Sequence, residues 1–285
     1  MKKIKDKTKI LFLFPPIVYS IILILLPILY VFLISFFKSD SYGGMLKVFT
    51  LSNYLEIFNI IYLKIFFKSV LIAFITTMVC LAIAYPFAIA LMSKKETTRN
   101  YLIKLVMVPF LMNSLIRTYA WIVLLRKNGI INSGLISLGI INKPLTLMYN
   151  NFGIIIGMIY TLLPFMILPV YSAVSKVDNS IIEASYDLGA SKIKTFMKVY
   201  LPLTISGAFN GSLMVFIPAI GYFFIADILG GGKEMIIGNL IKNQFLTARN
   251  WPFGAAISIF LVVITFVLVK IYRNLGGKMD DLGGA

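Results

Sequence analysis

Long apolar runs alternate along this chain with short polar segments that are rich in lysine and arginine. A helix needs about 20 apolar residues to cross the roughly 30 Å hydrocarbon core of a membrane. Runs of that length lie at 10–37, 69–92, 105–125, 152–174, 203–229 and 253–272. The pattern therefore predicts an all-α integral membrane protein with six transmembrane helices.

The segment before the second run has a different pattern. Over 54–67, apolar clusters alternate with Asn59, Glu56 and Lys64. Such mixing is typical of an amphipathic helix that lies in the membrane interface. We therefore expect residues 1–68 to hold the first transmembrane helix and an external loop with an interfacial helix. Residues 69–272 form the main transmembrane domain, and 273–285 form a cytoplasmic tail.

Composition agrees with this interpretation and limits the partners. Hydrophobic residues make up 59% of the chain and charged residues 13%, whereas soluble domains carry about 25% charged residues. The net charge of +16 fits basic loops beside a membrane better than a nucleic-acid surface. The expected surroundings are lipid, and no nucleic-acid partner is predicted.

Several chemistries are excluded by residues that the chain lacks. The sequence has no histidine and one cysteine, Cys80, inside an apolar run. A Ser-His-Asp triad, a His-based zinc site and an intrachain disulfide are therefore absent. The segment Gly230–Glu234 lacks the spacing and the hydroxyl of a phosphate-binding loop. We predict no catalytic residue, no metal and no cofactor, so energy for active transport would come from an ATP-hydrolysing partner chain or an ion gradient.

The positions of the basic residues predict the orientation in the membrane. Cytoplasmic loops carry an excess of lysine and arginine. With six helices, the side that holds both termini and the loops at 93–104 and 175–202 has the larger number of these residues. We expect a multi-pass protein of a prokaryotic cell membrane with cytoplasmic N- and C-termini.

One cytoplasmic segment, 180–202, has strong helix start and stop signals. Ser180 and Glu183 fit a capping box, and Gly189 suits the left-handed position that ends a helix. Ala184 and Ala190 leave room for another surface to approach closely. These signals predict two short helices joined by a turn at Gly189, which either dock on a partner or form an ordinary surface.

This segment resembles the E-A-A…G…L-P loop of binding-protein-dependent ABC importer permeases, with Ser185 where the loop commonly has alanine. The permeases of spermidine/putrescine importers resemble the chain further, in Phe49–Tyr54, Val108–Phe110, Asn113–Arg117 and Asn250–Ala256. In that family the loop forms a coupling helix that docks on the ATPase. The resemblance assigns this role to Glu183, Ala184, Ser185, Asp187, Gly189, Ala190, Ser191, Leu201 and Pro202.

The resemblance also implies an architecture and partners. It implies the six-helix fold of a type I ABC importer permease, located in a cell inner membrane. The expected partners are a second homologous permease, a dimer of ATP-binding subunits and an extracytoplasmic polyamine-binding protein. The chain itself would form half of the translocation path and would not be an enzyme.

Charged residues at membrane depth are candidates for the solute path. Arg117, near Asn113, either reaches the outer interface, pairs with an acid or repels cations. Asp227 lies near the aromatic residues Tyr222, Phe223 and Phe224, which suit a polyamine through ion pairing and cation–π contact. Asp227 is otherwise an ordinary acid at a helix end. These six residues form the predicted substrate path.

Other functions stay open from the sequence. A permease of this family for a different solute would carry the same coupling loop. An ion-gradient transporter would need ionisable groups at the bilayer midplane, where this chain offers little beyond Asp227. A membrane scaffold without transport activity would leave the segment at 180–202 without a role.

Overall fold

The computed structural model of the chain describes residues 14–16, 18–40 and 43–274. The basic residues before position 10 and nearly all of the predicted tail lie outside this part. The first helix, α1 (Phe14–Ile34), leads into a two-stranded antiparallel hairpin of β1 (Phe37–Ser39) and β2 (Met45–Phe49). The remaining elements are α2 (Ser52–Ile57), α3 (Ile60–Met92), α4 (Glu96–Leu111), α5 (Ser114–Leu125), α6 (Ile130–Ser137), α7 (Asn151–Val174), α8 (Asn179–Asp187), α9 (Lys192–Leu203), α10 (Ile205–Gly221), α11 (Phe223–Gly230), α12 (Ile237–Leu246) and α13 (Trp251–Asn274).

Within the described residues, four helices are individually long and apolar enough to cross a membrane, namely α1, α3, α7 and α13. Two bent helix pairs bring the number to six if each pair is one span. The predicted helix at 105–125 is not a single straight element, because α4 meets the segment Ser114–Ser137, which contains α5 and α6, at 94°. The bend lies at Met112, whose backbone is extended, and Asn113 then starts a new helix.

The predicted helix at 203–229 is also divided. Helix α9 and helix α10 meet at 74°, and the chain breaks again at Tyr222 before α11. Pro202 has no N–H to donate into α9, and a π-helical stretch, Phe196–Tyr200, precedes it. Likewise, the predicted interfacial helix at 54–67 is two helices, α2 and the start of α3.

The chain forms two compact units, and the larger one comprises Lys64–Asn239 and Thr265–Ala285. Its core centres on α7, where every fourth residue is almost completely buried: Ile154, Met158, Leu162, Met166, Val170 and Val174. Helices α10 and α11 pack on α7. A Cβ atom at Gly207 would lie 2.7 Å from the Pro169 carbonyl oxygen, so the close approach of α10 to α7 requires glycine there.

The smaller unit comprises Met1–Leu63 and Leu240–Ile264. Its described part joins the end of α1 to the hairpin and α2. The buried Asn53 amide donates to the carbonyl oxygens of Ser35 and Phe37, both at 2.9 Å. Ser35 Oγ lies 2.7 Å from the Tyr54 hydroxyl. The hairpin is absent from the sequence prediction, because its strands are short and continue the apolar pattern of α1.

Candidate functional site

Helix α8 and the start of α9 form a compact pair, which we call the knuckle (residues 178–197). Helix α8 ends at Gly189, whose φ of +74° places it in the left-handed region. The Ala190 N–H donates to the Ser185 carbonyl and the Gly189 N–H to the Tyr186 carbonyl. This is a Schellman motif, which satisfies the last carbonyls of the helix. The predicted turn at Gly189 is confirmed.

The start of α8 differs from the prediction. The N-cap is Asp178, whose carboxylate accepts a hydrogen bond from the Ser180 N–H at 2.9 Å, so the capping box that starts at Ser180 is wrong. Both residue types cap helices, and the helix begins two residues earlier than the S-x-x-E pattern implies. This backbone hydrogen bond lowers the pKa of Asp178 below its ordinary 3.8.

Hydroxyl groups connect the two helices of the knuckle. Ser185 Oγ donates to the Ile182 carbonyl at 2.7 Å and lies 3.0 Å from Oγ1 of the buried Thr195. Ser191 caps α9, accepting from the Lys194 N–H at 3.4 Å. The serine that replaces the family's alanine therefore contributes an additional link between α8 and α9.

The outer surface of the knuckle is apolar and exposed. Leu188 is 88% exposed and Ile193 is 76% exposed, with Met197 and Ile181 also open. Glu183 and Asp187 lie on exposed positions of α8. Large apolar side chains beside exposed carboxylates on a compact helix pair are typical of a surface that a partner covers.

An elbow follows the knuckle where Leu201 and Pro202 end α9. Thr204 is completely buried at the bend, and its Oγ1 donates to the Tyr200 carbonyl at 2.6 Å. The Tyr85 hydroxyl of α3 lies 3.0 Å from Thr204 Oγ1. Sequence reasoning missed both residues, since no local motif connects positions 119 residues apart. The knuckle is therefore connected to α10 through a bend that contacts α3.

The predicted path residues separate into two groups. Arg117 and Tyr222 line a cavity of 840 Å³ between α4, α5, α7 and α10, together with Phe110, Thr161, Phe165 and Met214. Phe110 and Phe165 meet edge to face at 5.1 Å. Tyr222, Phe223 and Phe224 line a second cavity of 210 Å³ with Ser114. The volume of the first cavity lies in the range of small-molecule sites, and the second cavity is smaller than that range.

Asn113 and Asp227 instead serve local structure. The Asn113 side chain caps α5 by accepting from the Leu115 N–H at 2.8 Å. Asp227 accepts a hydrogen bond from the Asn239 amide, which also donates to the Phe223 carbonyl at 3.1 Å. Asn239 Oδ1 accepts from the Ile236 N–H at 3.2 Å. Asp227 thus helps to hold α11 to the start of α12.

Arg117 is buried at the wall of the larger cavity. The residue as a whole is 8% exposed. Within the described residues, its Nε and Nη1 atoms have no hydrogen-bond partner. The three roles that the sequence left open for Arg117 stay predictions.

Comparison with known proteins places this architecture in a family. The model of the family described as "Binding-protein-dependent transport system inner membrane component" matches residues 8–281. The chain belongs to this family. It is a non-catalytic, multi-pass permease subunit of the inner membrane.

Relatives and solved structures agree with this assignment. The chain is 43% identical to the spermidine/putrescine transport system permease protein PotB of Haemophilus influenzae, over 89% of each protein. It is 41% identical to PotB of Escherichia coli, over 92% of this chain and 97% of that one. The fold is similar to a chain of a bacterial alginate ABC transporter in complex with an alginate-pentasaccharide-bound periplasmic protein. That similarity has a TM-score of 0.77 at 15% identity and covers 96% of each chain.

Proposed function

We propose that this chain is the permease subunit of an ATP-driven importer of polyamines such as spermidine and putrescine. The observation that carries the proposal is the 41–43% identity to spermidine/putrescine permeases over about nine tenths of the chain. The expected partners are a second permease, a pair of ATPase chains and an external binding protein that delivers the polyamine. The protein lies in the membrane with both termini in the cytoplasm. Residues 69–272 form its transport domain, and 1–68 and 273–285 are the flanking parts.

The knuckle supports a coupling role. Glu183, Ala184, Asp187 and the turn at Gly189 lie on exposed positions beside open apolar side chains, which suits insertion into a groove on the ATPase. Ser185 links the two helices through Thr195, and Ser191 caps α9. A rigid body that ends at the elbow of Leu201 and Pro202 would transmit movement of the ATPase to α10.

The cavities support a solute path with aromatic walls. An ammonium group that loses its water is stabilised by the face of an aromatic ring. Tyr222, Phe223 and Phe224 supply such faces beside Ser114. Asp227, one turn further along α11, supplies a carboxylate near this aromatic group. In this proposal Asp227 holds α12 and also attracts a polyamine ammonium.

A second candidate within the same class is import of a different solute. The observation that favours it is the larger cavity, where Arg117 is the charged group and the other walls are mostly apolar. A single chain with that lining suits a neutral or anionic solute better than a cation, unless a second permease neutralises the arginine.

Reconstituted transport separates these candidates. The chain is purified with its second permease and ATPase, placed in proteoliposomes with ATP inside, and supplied with binding protein outside. The proposal predicts uptake of labelled spermidine that excess unlabelled spermidine or putrescine abolishes and excess alginate oligosaccharide or methionine does not. If excess unlabelled polyamine does not change the uptake of labelled spermidine, the polyamine assignment is rejected. The assignment as a permease is kept in that case.

A further inference from the structure

The 840 Å³ cavity holds a positive charge that the described part of the chain does not neutralise. Arg117 is nine-tenths buried, and its Nε and Nη1 atoms have no hydrogen-bond partner among the described residues. A buried guanidinium without an anion is costly, both in protein and at membrane depth. An anionic group from outside the described residues would offset this cost.

The acids of the larger unit that the structure describes are all positioned elsewhere. Asp227 accepts from Asn239, and Glu234 is paired with Lys68. Asp178 caps α8. Glu183 and Asp187 are exposed on the knuckle, and Glu96 begins α4, about 21 Å of helix before the cavity residue Phe110.

The shape of the cavity and its surroundings indicate how an anion would enter. Arg117 lies on the inner side of α5, next to the buried Thr118. The cavity wall around Arg117 is mostly apolar, as at Phe110, Phe165 and Met214. Apolar walls around a cation are complementary to an apolar helix that carries one carboxylate. Charge complementarity of this kind fixes register between partners.

We propose that an Asp or Glu side chain from a membrane helix of the second permease enters this cavity and pairs with Arg117. The inference rests on the proposed function, which supplies that second permease. A polyamine is itself a cation and cannot serve as the anion. The pair would also remove the positive charge that opposes a cationic solute near Tyr222.

Two substitutions test the pair in the complete complex. Arg117→Gln keeps polar volume without charge, and Arg117→Lys keeps the charge. The matched control is Arg126→Gln, since Arg126 is exposed at the other end of α5. With the affinity tag on this chain, the measurement is the amount of second permease recovered from detergent-solubilised membranes per tagged chain.

We expect Arg117→Gln to lower recovery at least about tenfold, because removing one partner leaves the other charge buried and unpaired. Arg117→Lys and Arg126→Gln should recover the second permease within about twofold of wild type. Normal recovery with Arg117→Gln would overturn the pair. Normal recovery with lost uptake would also overturn it, and would assign Arg117 to the solute path. Loss of copurifying anionic lipid without loss of the permease would assign the anion to a lipid headgroup instead.

A charge-reversal screen provides a second test that does not depend on the stability of one variant. In an Arg117→Glu background, each membrane-embedded Asp or Glu of the second permease is changed to Lys. One of these changes should restore assembly at least fivefold, and failure of all of them would overturn the pair. If the wild-type chain itself recovers no second permease, the proposed function fails together with the pair; failure of the variants alone rejects only the pair.

Discussion

Ser185 Oγ lies 3.0 Å from Thr195 Oγ1, and this contact joins α8 to α9 across the turn at Gly189. Thr195 is almost completely buried, whereas Ser185 is half-buried. The knuckle is therefore held both by its backbone cap and by a side-chain link, which makes the two helices one rigid piece.

Removing the link should loosen the knuckle without abolishing transport. A hydrogen bond of this type contributes about 1 kcal/mol, roughly fivefold in local opening. We expect Ser185→Ala and Thr195→Val each to speed amide hydrogen exchange in α8 about fivefold. Uptake should stay within about twofold of wild type with Ser185→Ala, because alanine keeps the small size at the docking face. Unchanged exchange in both variants would show that the backbone cap alone holds the pair.

The elbow at Thr204 predicts a long-range effect of a residue on α3. Tyr85→Phe removes the hydroxyl that contacts Thr204 Oγ1 at 3.0 Å and keeps the ring against Phe196. We expect a loss of about 1 kcal/mol in stability and a two- to fivefold loss of uptake. Thermal unfolding of the purified complex and uptake rates measure these effects. Tyr101→Phe, at an exposed tyrosine of α4, is the control and should match wild type.

The proposed orientation is tested by site-directed labelling of introduced cysteines. Cysteines at the exposed positions Ser93 and Ser191 should react only with reagent on the cytoplasmic side, and one at Ser133 only from outside. The neighbouring Asn132 is unsuitable, because it is buried and holds the Leu145 backbone. Native Cys80 is fully buried and does not interfere. Labelling of Ser133 from the cytoplasm would invert the orientation and move the knuckle away from an ATPase.

Asp227 allows a structural role and a path role to be separated. Asp227→Asn removes the charge and keeps an oxygen that can accept from Asn239, whereas Asn239→Ala removes the hydrogen bond and keeps the charge. We expect Asp227→Asn to lower spermidine uptake more than tenfold at normal assembly and basal ATPase activity. Asn239→Ala should instead lower thermal stability by about 1–3 kcal/mol. Wild-type uptake by Asp227→Asn would leave this acid with its structural role alone.

The sequence could predict features whose chemistry is local. Gly189 was predicted because a helix end in the left-handed region favours glycine, and the structure has φ +74° there. Hydropathy identifies the apolar runs but carries no information on the direction of the helix axis. It therefore does not predict the bends at Met112 and Thr204. The N-cap was misplaced because Asp178 and Ser180 are both good caps two residues apart.

Longer-range contacts could not be predicted from one sequence. The Tyr85–Thr204 contact depends on how α3 meets the elbow, and the Lys68–Glu234 ion pair on how α3 meets the segment before α12. Likewise, the sequence does not show that Arg117 Nε and Nη1 lack a hydrogen-bond partner among the described residues, because this depends on the three-dimensional packing.

In the proposed function, the knuckle couples ATP hydrolysis in a partner to polyamine import. Gly189→Val tests it at a position where a Cβ atom would meet no neighbour within 4 Å, so its effect comes from the positive φ and not from a clash. Gly189→Asn is the matched control, since asparagine tolerates this region. Glu183→Lys reverses an exposed charge on the same helix.

The decisive measurement is spermidine uptake together with ATPase activity in proteoliposomes that contain all partner chains and loaded binding protein. We predict that wild type and Gly189→Asn import spermidine and hydrolyse ATP faster with loaded binding protein. Gly189→Val and Glu183→Lys should reach the membrane in normal amounts. Less ATPase should copurify with each variant, and spermidine uptake should fall more than tenfold. Uptake at wild-type rates in both Gly189→Val and Glu183→Lys would contradict the account.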